Sequence, residues 1–307
     1  MKLTILALLL TFYLDVACYE YEYVYRNPND STTNCYLKIY PNTNDIKGII
    51  VRDFTNLPDM NRKPYFNFLK LSSDAGYLTL ITNTSKQVPE LFTSDSTMKM
   101  LDQMINEAIS EEKITSDNIF IGGISASGTR ALRYTQYCNS GKSNIRPKGV
   151  FVVDSPLDLK RFYNSASKHK DNFSDGMLAE ANWMIPYFNK LFGGSPADVK
   201  EKYINSSVFS HTDSVNSNAL ALKNTSMIIF HEPDIDWWIE ERGATYYDIN
   251  SFDLVAFTVF LEKNGNNDVD LVTTTNKGFD RNGKRKPHSW SIVEEEYLLE
   301  WIIERTE

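Results

Sequence analysis

The sequence predicts an α/β fold with a mostly parallel central sheet flanked by helices and a helical cap inserted over a sheet edge. Three observations carry this. From about residue 36 to residue 304, short apolar runs of strand length alternate with stretches of helical period. Between 157 and 222 the strand pattern lapses while helical stripes continue. Around 118–137 a glycine-rich strand runs straight into a helix. Strand–helix alternation suits a parallel sheet, because each parallel pair needs a long crossover that a helix supplies.

The elements follow in order. Lys2 and the apolar run 3–14 read as the positive and hydrophobic parts of a signal peptide over 1–17, with cleavage after Ala17. A spanning helix needs about 20 apolar residues, so this run is too short to remain as one. Cleavage there leaves Cys18 first. Two readings stay open, ordinary secretion and a lipid anchor on Cys18, and both place the protein outside the cytoplasm, secreted or in the cell envelope (periplasmic or extracellular). No integral membrane segment is expected after processing. Residues 18–35 read as an irregular N-terminal extension, and 36–307 as one domain. Runs 36–40 and 46–51 flank the turn Pro41-Asn42-Thr43-Asn44 and read as a hairpin that opens the sheet. A short helix is expected at 65–71 and a buried strand at 77–82. Met98, Leu101, Met104, Ile105 and Ile109 form a helical stripe over 96–112, with Ser96 as its cap. Further strands are expected at 118–122, 149–153, 227–231 and 269–274, and further helices at 126–137, 251–263 and 291–304. The segment 157–222 is the candidate cap.

Composition narrows the function. A length of 307 residues with 42% hydrophobic content supports one large core plus a cap. The net charge of -8 gives no electrostatic reason to seek nucleic acid or an anionic membrane surface. The short basic cluster Arg281, Lys284, Arg285, Lys286 reads as a solvated loop. Of 3 Cys, only Cys35 and Cys138 remain for a disulfide once Cys18 is set aside. With 4 His and no Cys/His spacing of the zinc type, neither metal nor cofactor is expected.

The chemistry centres on Gly122-Gly123-Ile124-Ser125-Ala126-Ser127-Gly128. A tight strand-to-helix turn tolerates only small residues two before and two after the side chain that it presents, and Gly123 and Ser127 meet that need around Ser125. Rival readings are a structural glycine-rich turn and a phosphate loop. Against the latter, no Lys follows Gly128 and the GxGxxG spacing is absent.

This strand–turn–helix resembles the nucleophile elbow of α/β-hydrolases, and the whole resembles bacterial secreted serine hydrolases and esterases. The elbow departs from the family pattern in having Ser127 where Gly is usual. The resemblance implies the order serine, acid, histidine. His288, just before the last helix, matches the base. Asp234, past the strand at 227–231, matches the acid, with Asp236 and Asp154 as alternatives. The oxyanion donors would be the N–H of Ala126 and one from the loop after 46–51, Phe54 or Thr55. Trp238 and Trp290 flank the proposed acid and base and are candidates for the substrate pocket. The implied activity is hydrolysis of a carboxylic ester of a small-molecule acyl substrate. A serine peptidase or amidase, and a non-catalytic surface binding protein on the same fold, are the alternatives.

Overall fold

The computed structural model describes residues 19–27, 29–54, 56–58, 67–84 and 94–306. The signal-peptide reading, Cys18 and Thr55 lie outside these residues. In chain order the first half contains β1 (Tyr21–Tyr25), β2 (Cys35–Ile39), β3 (Gly48–Asp53), α1 (Asn67–Asp74), β4 (Tyr77–Asn83) and α2 (Asp95–Glu112). Next come β5 (Ile119–Ile124), α3 (Ala126–Tyr137) and β6 (Gly149–Val153). The helices α4 (Leu159–His169), α5 (Asp175–Phe192), α6 (Lys200–Ser206) and α7 (Ser217–Leu220) follow without an intervening strand. The chain closes with β7 (Ser226–His231), α8 (Ile235–Arg242), α9 (Ser251–Lys263), β8 (Val269–Thr273) and α10 (Glu295–Thr306).

The strands form one sheet in the order β1-β2-β4-β3-β5-β6-β7-β8. From β4 to β8 every pairing is parallel, whereas β1 and β2 add an antiparallel edge. Parallel strands are covered on both faces, so they read as continuous apolar runs. Alternate side chains serve the two sides. Val51, Ile121, Val152 and Ile229 pack under α2, α3 and α9, against Leu101, Tyr134 and Phe257. Ile50, Phe120, Phe151 and Phe230 face α1 and α10, against Phe68, Leu298 and Trp301. Each fully buried side chain of this size stabilises by about 1.5–3 kcal/mol. The cap helices α4, α5 and α6 have their own apolar cluster around Phe188, Phe192 and Tyr203.

Several expectations are corrected. β2 and β3 are not a hairpin, because β4 lies between β2 and β3 and pairs with both. The extension 18–35 is not irregular throughout: β1 pairs along its whole length with β2. Buried Lys38 on β2 reinforces that edge by pairing with Glu22, Glu111 and Glu112 at 3.1, 2.6 and 2.9 Å. The cap of α2 is Ser94, whose hydroxyl accepts from the Ser96 N–H. A single 3-10 turn, Trp290–Ile292, precedes α10, which starts only at Glu295. Cys35 and Cys138 are both buried free thiols. Among the described residues no helix is long and apolar enough to cross a membrane.

Candidate active site

Ser125 stands between β5 and α3 with φ 58° and ψ -132°. A left-handed φ at a non-glycine residue costs about 1–3 kcal/mol and persists only where the surroundings impose it. Here they do. The Ser125 N–H donates to the Val153 carbonyl at 2.9 Å, which continues the β5–β6 ladder past the strand end. The Ser125 carbonyl accepts from Gly128 and Thr129 at 3.0 and 3.2 Å and so starts α3. A serine at this position ordinarily caps its helix with the hydroxyl. Ser125 makes no side-chain cap bond, and its side chain instead lines two cavities. The small-residue frame is packed tight. A Cβ on Gly123 would lie 2.7 Å from Cβ of Ser127, and one on Gly128 would lie 2.2 Å from Oγ of Ser155. Behind the turn, buried Arg130 of α3 pairs with buried Asp53 at the end of β3 at 2.9 Å. Burial pushes the Asp53 carboxyl up to about 6 against the lowering charge of Arg130.

His288 lines the same two cavities. Its Nδ1 lies 2.6 Å from Oδ2 of Asp154, which follows β6 directly and is buried with φ 39°. Because Ile124 and Val153 are register partners, Ser125 and Asp154 leave adjacent strands side by side. Asp154 is fixed through its backbone, where its N–H donates to Phe230 and its carbonyl accepts from Asn250, both at 2.9 Å. Burial lowers the imidazole pKa, but the charge and hydrogen bond of Asp154, with the charge of Glu180, raise it above the ordinary value overall.

The loop that delivers His288 is anchored by buried Glu232. Its carboxylate accepts from Thr274 Oγ1 at 2.8 Å and from the N–H groups of Lys277 and Gly278 at 3.0 and 3.2 Å, and it pairs with Arg285. Burial raises this carboxyl, yet the hydrogen bonds hold it below its usual value. Arg285 is therefore not a solvated member of a basic cluster, although Arg281, Lys284 and Lys286 are exposed.

The expected acid is corrected. Asp234 does not meet His288. It caps α8 by accepting from the Trp237 N–H and pairs with Arg285 at 2.6 Å, so helix capping and the loop anchor engage its carboxylate. Asp236 lies exposed in the first turn of α8. Asp154, the remaining alternative, is the carboxylate at the imidazole. Phe54 is corrected too, because its N–H donates to Thr82 at 2.9 Å and its side chain packs against the cluster of Leu37, Ile39, Leu69 and Ile81. Ala126 opens α3 at the rim of the smaller cavity, and the N–H of a first helical residue has no intrahelical acceptor. The two tryptophans part company. Trp238 lines the smaller cavity, while Trp290 walls the larger one with Arg52 stacked 3.7 Å from its ring centroid and its indole N–H donating to Glu295 at 2.6 Å. The other histidines are engaged elsewhere: His169 with Asp248 at 2.6 Å, His211 with Asp253 at 3.0 Å, His231 with Thr273 at 2.7 Å.

The larger cavity is an open groove of about 1350 Å³ with both lysines and glutamates on its walls, while the smaller, of about 80 Å³, lies under the cap. Among the described residues no group of three His, Cys, Asp or Glu is placed to hold a metal ion.

A central parallel sheet, a strained serine between its fifth strand and the following helix, and a late-loop imidazole bonded to a carboxylate together define the α/β-hydrolase fold. Solved structures agree. Esterase B from Lactobacillus rhamnosis aligns over 94% of this chain and 86% of its own, with a TM-score of 0.58 and 13% identity. An acylaminoacyl peptidase from Pyrococcus horikoshii aligns over 89% of this chain with a TM-score of 0.58 and 14% identity, and a bifunctional GH43-CE protein from Bacteroides eggerthii with 0.52 and 15%. The chain spans only 39% of the peptidase and 33% of the bifunctional protein. No family model and no curated protein sequence matches the chain.

Proposed function

We propose that the protein is a serine hydrolase that cleaves carboxylic esters through an acyl-enzyme. The observation that carries the reading is the strained Ser125 sharing two cavities with His288, whose ring is bonded to buried Asp154. A serine hydroxyl is a weak nucleophile at its own pKa and needs a base that is itself oriented. His288 removes the Ser125 proton, and the oxygen attacks the ester carbonyl. The Ala126 N–H donates to the resulting oxyanion. Asp154 fixes the tautomer with the proton on Nδ1 and stabilises the imidazolium. His288 then protonates the departing alcohol, and the same groups activate water to release the acid. Ester rather than peptide cleavage is favoured by the match to Esterase B over most of both chains, a protein also captured with a tributyrin phosphonate. The apolar segment at 1–17 supports action outside the cytoplasm.

A fluorophosphonate probe tests the reading. Wild type should be labelled and should turn over p-nitrophenyl esters, and Ser125→Ala should do neither while keeping its circular dichroism spectrum. Full turnover by the variant would overturn the nucleophile. A wild type that neither labels nor turns over would favour the binding protein. Faster cleavage of aminoacyl amides than of esters would favour a peptidase.

A further inference from the structure

The two cavities that meet at Ser125 and His288 differ in charge. The open groove carries Lys277, Arg281 and Lys286 as well as glutamates, whereas among the described residues no lysine or arginine lines the cavity under the cap. Its walls are largely apolar, with the aromatic residues Phe162, Trp183, Phe188 and Trp238 beside Met177 and Met184, and two acidic residues line it, Asp248 and Glu180.

These carboxylates are in different states. Asp248 is spent within the protein. It accepts from the Thr245 N–H and hydroxyl at 2.9 and 2.7 Å, from Ser165 at 2.8 Å, and faces His169 at 2.6 Å. Glu180, on the cap helix α5, has no hydrogen-bond or ion-pair partner among the described residues. Glu180 is exposed to solvent, and the desolvation it does undergo raises its carboxyl above the ordinary value, against the lowering charges of His288 and Arg161. An acidic group without a counter-ion beside aromatic faces is a poor host for an acyl chain or an anion. It is a good host for a cation, which gains from the carboxylate and from the ring quadrupoles together. A volume of about 80 Å³ admits a compact head group rather than a whole ligand.

We propose that the cavity under the cap seats a compact alkylammonium group of the substrate, with Glu180 as its counter-ion, which makes the preferred substrates esters that carry a positive charge near the scissile bond. The proposal rests on the serine hydrolase reading for its catalytic consequence but not for the binding itself.

The test uses two acetyl esters of the same shape, the trimethylammonioethyl ester and the uncharged 3,3-dimethylbutyl ester. Wild type should favour the cationic ester at least about tenfold in kcat/KM. Glu180→Gln should raise KM for the cationic ester about tenfold and leave KM for the uncharged ester within about twofold. A change confined to kcat and equal on both esters would assign Glu180 to the electrostatics of His288 instead and overturn the proposal, as would equal use of both esters by wild type. If neither ester is turned over and the fluorophosphonate does not label, the hydrolase reading fails. The site is then decided by equilibrium binding of choline against 3,3-dimethylbutan-1-ol, followed by tryptophan fluorescence. Choline should bind wild type at least about tenfold more tightly than the alcohol, and Glu180→Gln should lose that margin. Absence of the margin in wild type would overturn the cation site independently.

Discussion

Replacing Asp154 with Asn tests the proposed site most sharply. The substitution keeps shape and volume but removes the charge 2.6 Å from Nδ1 of His288. With charge centres about 4 Å apart and an effective dielectric of about 20, the lost stabilisation of the imidazolium is about 4 kcal/mol. The dielectric value suits a ring whose side chain is 31% exposed. That energy corresponds to about three powers of ten in rate. An Asn can also donate to Nδ1 and so favour the wrong tautomer, which costs about 10⁴ in kcat in the serine protease triad. We expect kcat on p-nitrophenyl acetate to fall about 10³- to 10⁴-fold. The pH profile gives a second reading. His288 must be neutral to accept a proton, so activity is lost as pH falls through its raised pKa. Without Asp154 the largest cause that raises this pKa goes while burial remains, and the acid limb should move to lower pH. The control is Asp234→Asn, which keeps an oxygen to cap α8, gives up the charge paired with Arg285, and should keep kcat within about threefold. A fall of less than tenfold with an unmoved acid limb in Asp154→Asn, or the larger loss in Asp234→Asn, would refute the assignment.

Two further predictions concern the scaffold. Gly128→Ala places a Cβ 2.2 Å from Oγ of Ser155 and 2.7 Å from the Gly123 carbonyl, a backbone atom that cannot yield. A thermal melt should show a loss of about 1–3 kcal/mol, and kcat should fall by more than about 100-fold as the start of α3 shifts. Asp253 is fully buried and accepts from Arg161, His211 and the N–H groups of Leu157 and Asp158. Burial raises its carboxyl, but Arg161 and these bonds hold it down at about 2. A depressed carboxylate adds stability above its unfolded pKa and loses it as pH falls, here between about 4 and 2, for about 2 kcal/mol in total. Asp253→Asn should cost about 3–5 kcal/mol at neutral pH, because Arg161 stays buried without its partner. Urea titrations should also show a shallower decline of stability in that acid window, and an unchanged slope would count against the pairing.

The sequence carried more of the central layers than of the edges. β5, β6, α3 and α9 were legible because their apolar periods are complete and their ends are marked by glycine, serine or a change of period. The sheet order was not, because the pattern of 36–40 and 46–51 shows that two strands exist but not that β4 separates them. β1 did carry a signal. Tyr21, Tyr23 and Tyr25 alternate at period two, and their rings meet in sequence along one face at centroid distances of 5.9 and 6.0 Å. Within the site, the serine was marked by steric need and the base by its place before the last helix. The sequence points to Asp234 rather than Asp154 beside His288 because Pro233-Asp234 looks like a functional turn, whereas an aspartate just before a helical run is also what an N-cap looks like. The brief Asp154-Ser155-Pro156 after a buried strand held the competing signal. Glu180 left none, since a lone glutamate on a cap helix looks like any solvated residue until the cavity is seen.

The adjacency of Ser125 and Asp154 at the ends of two hydrogen-bonded central strands divides the proposed machinery unevenly. Two of its three members are held at the end of a buried ladder in the middle of the sheet, and only His288 arrives on a loop. That loop is tied down by two carboxylates, Glu232 and Asp234, which lie on neither strand. Local opening requires far less free energy at such a loop than in a core strand. Loss of competence on warming therefore has a natural route that leaves the sheet intact. The base departs while nucleophile and acid keep their places, and cooling restores it without refolding.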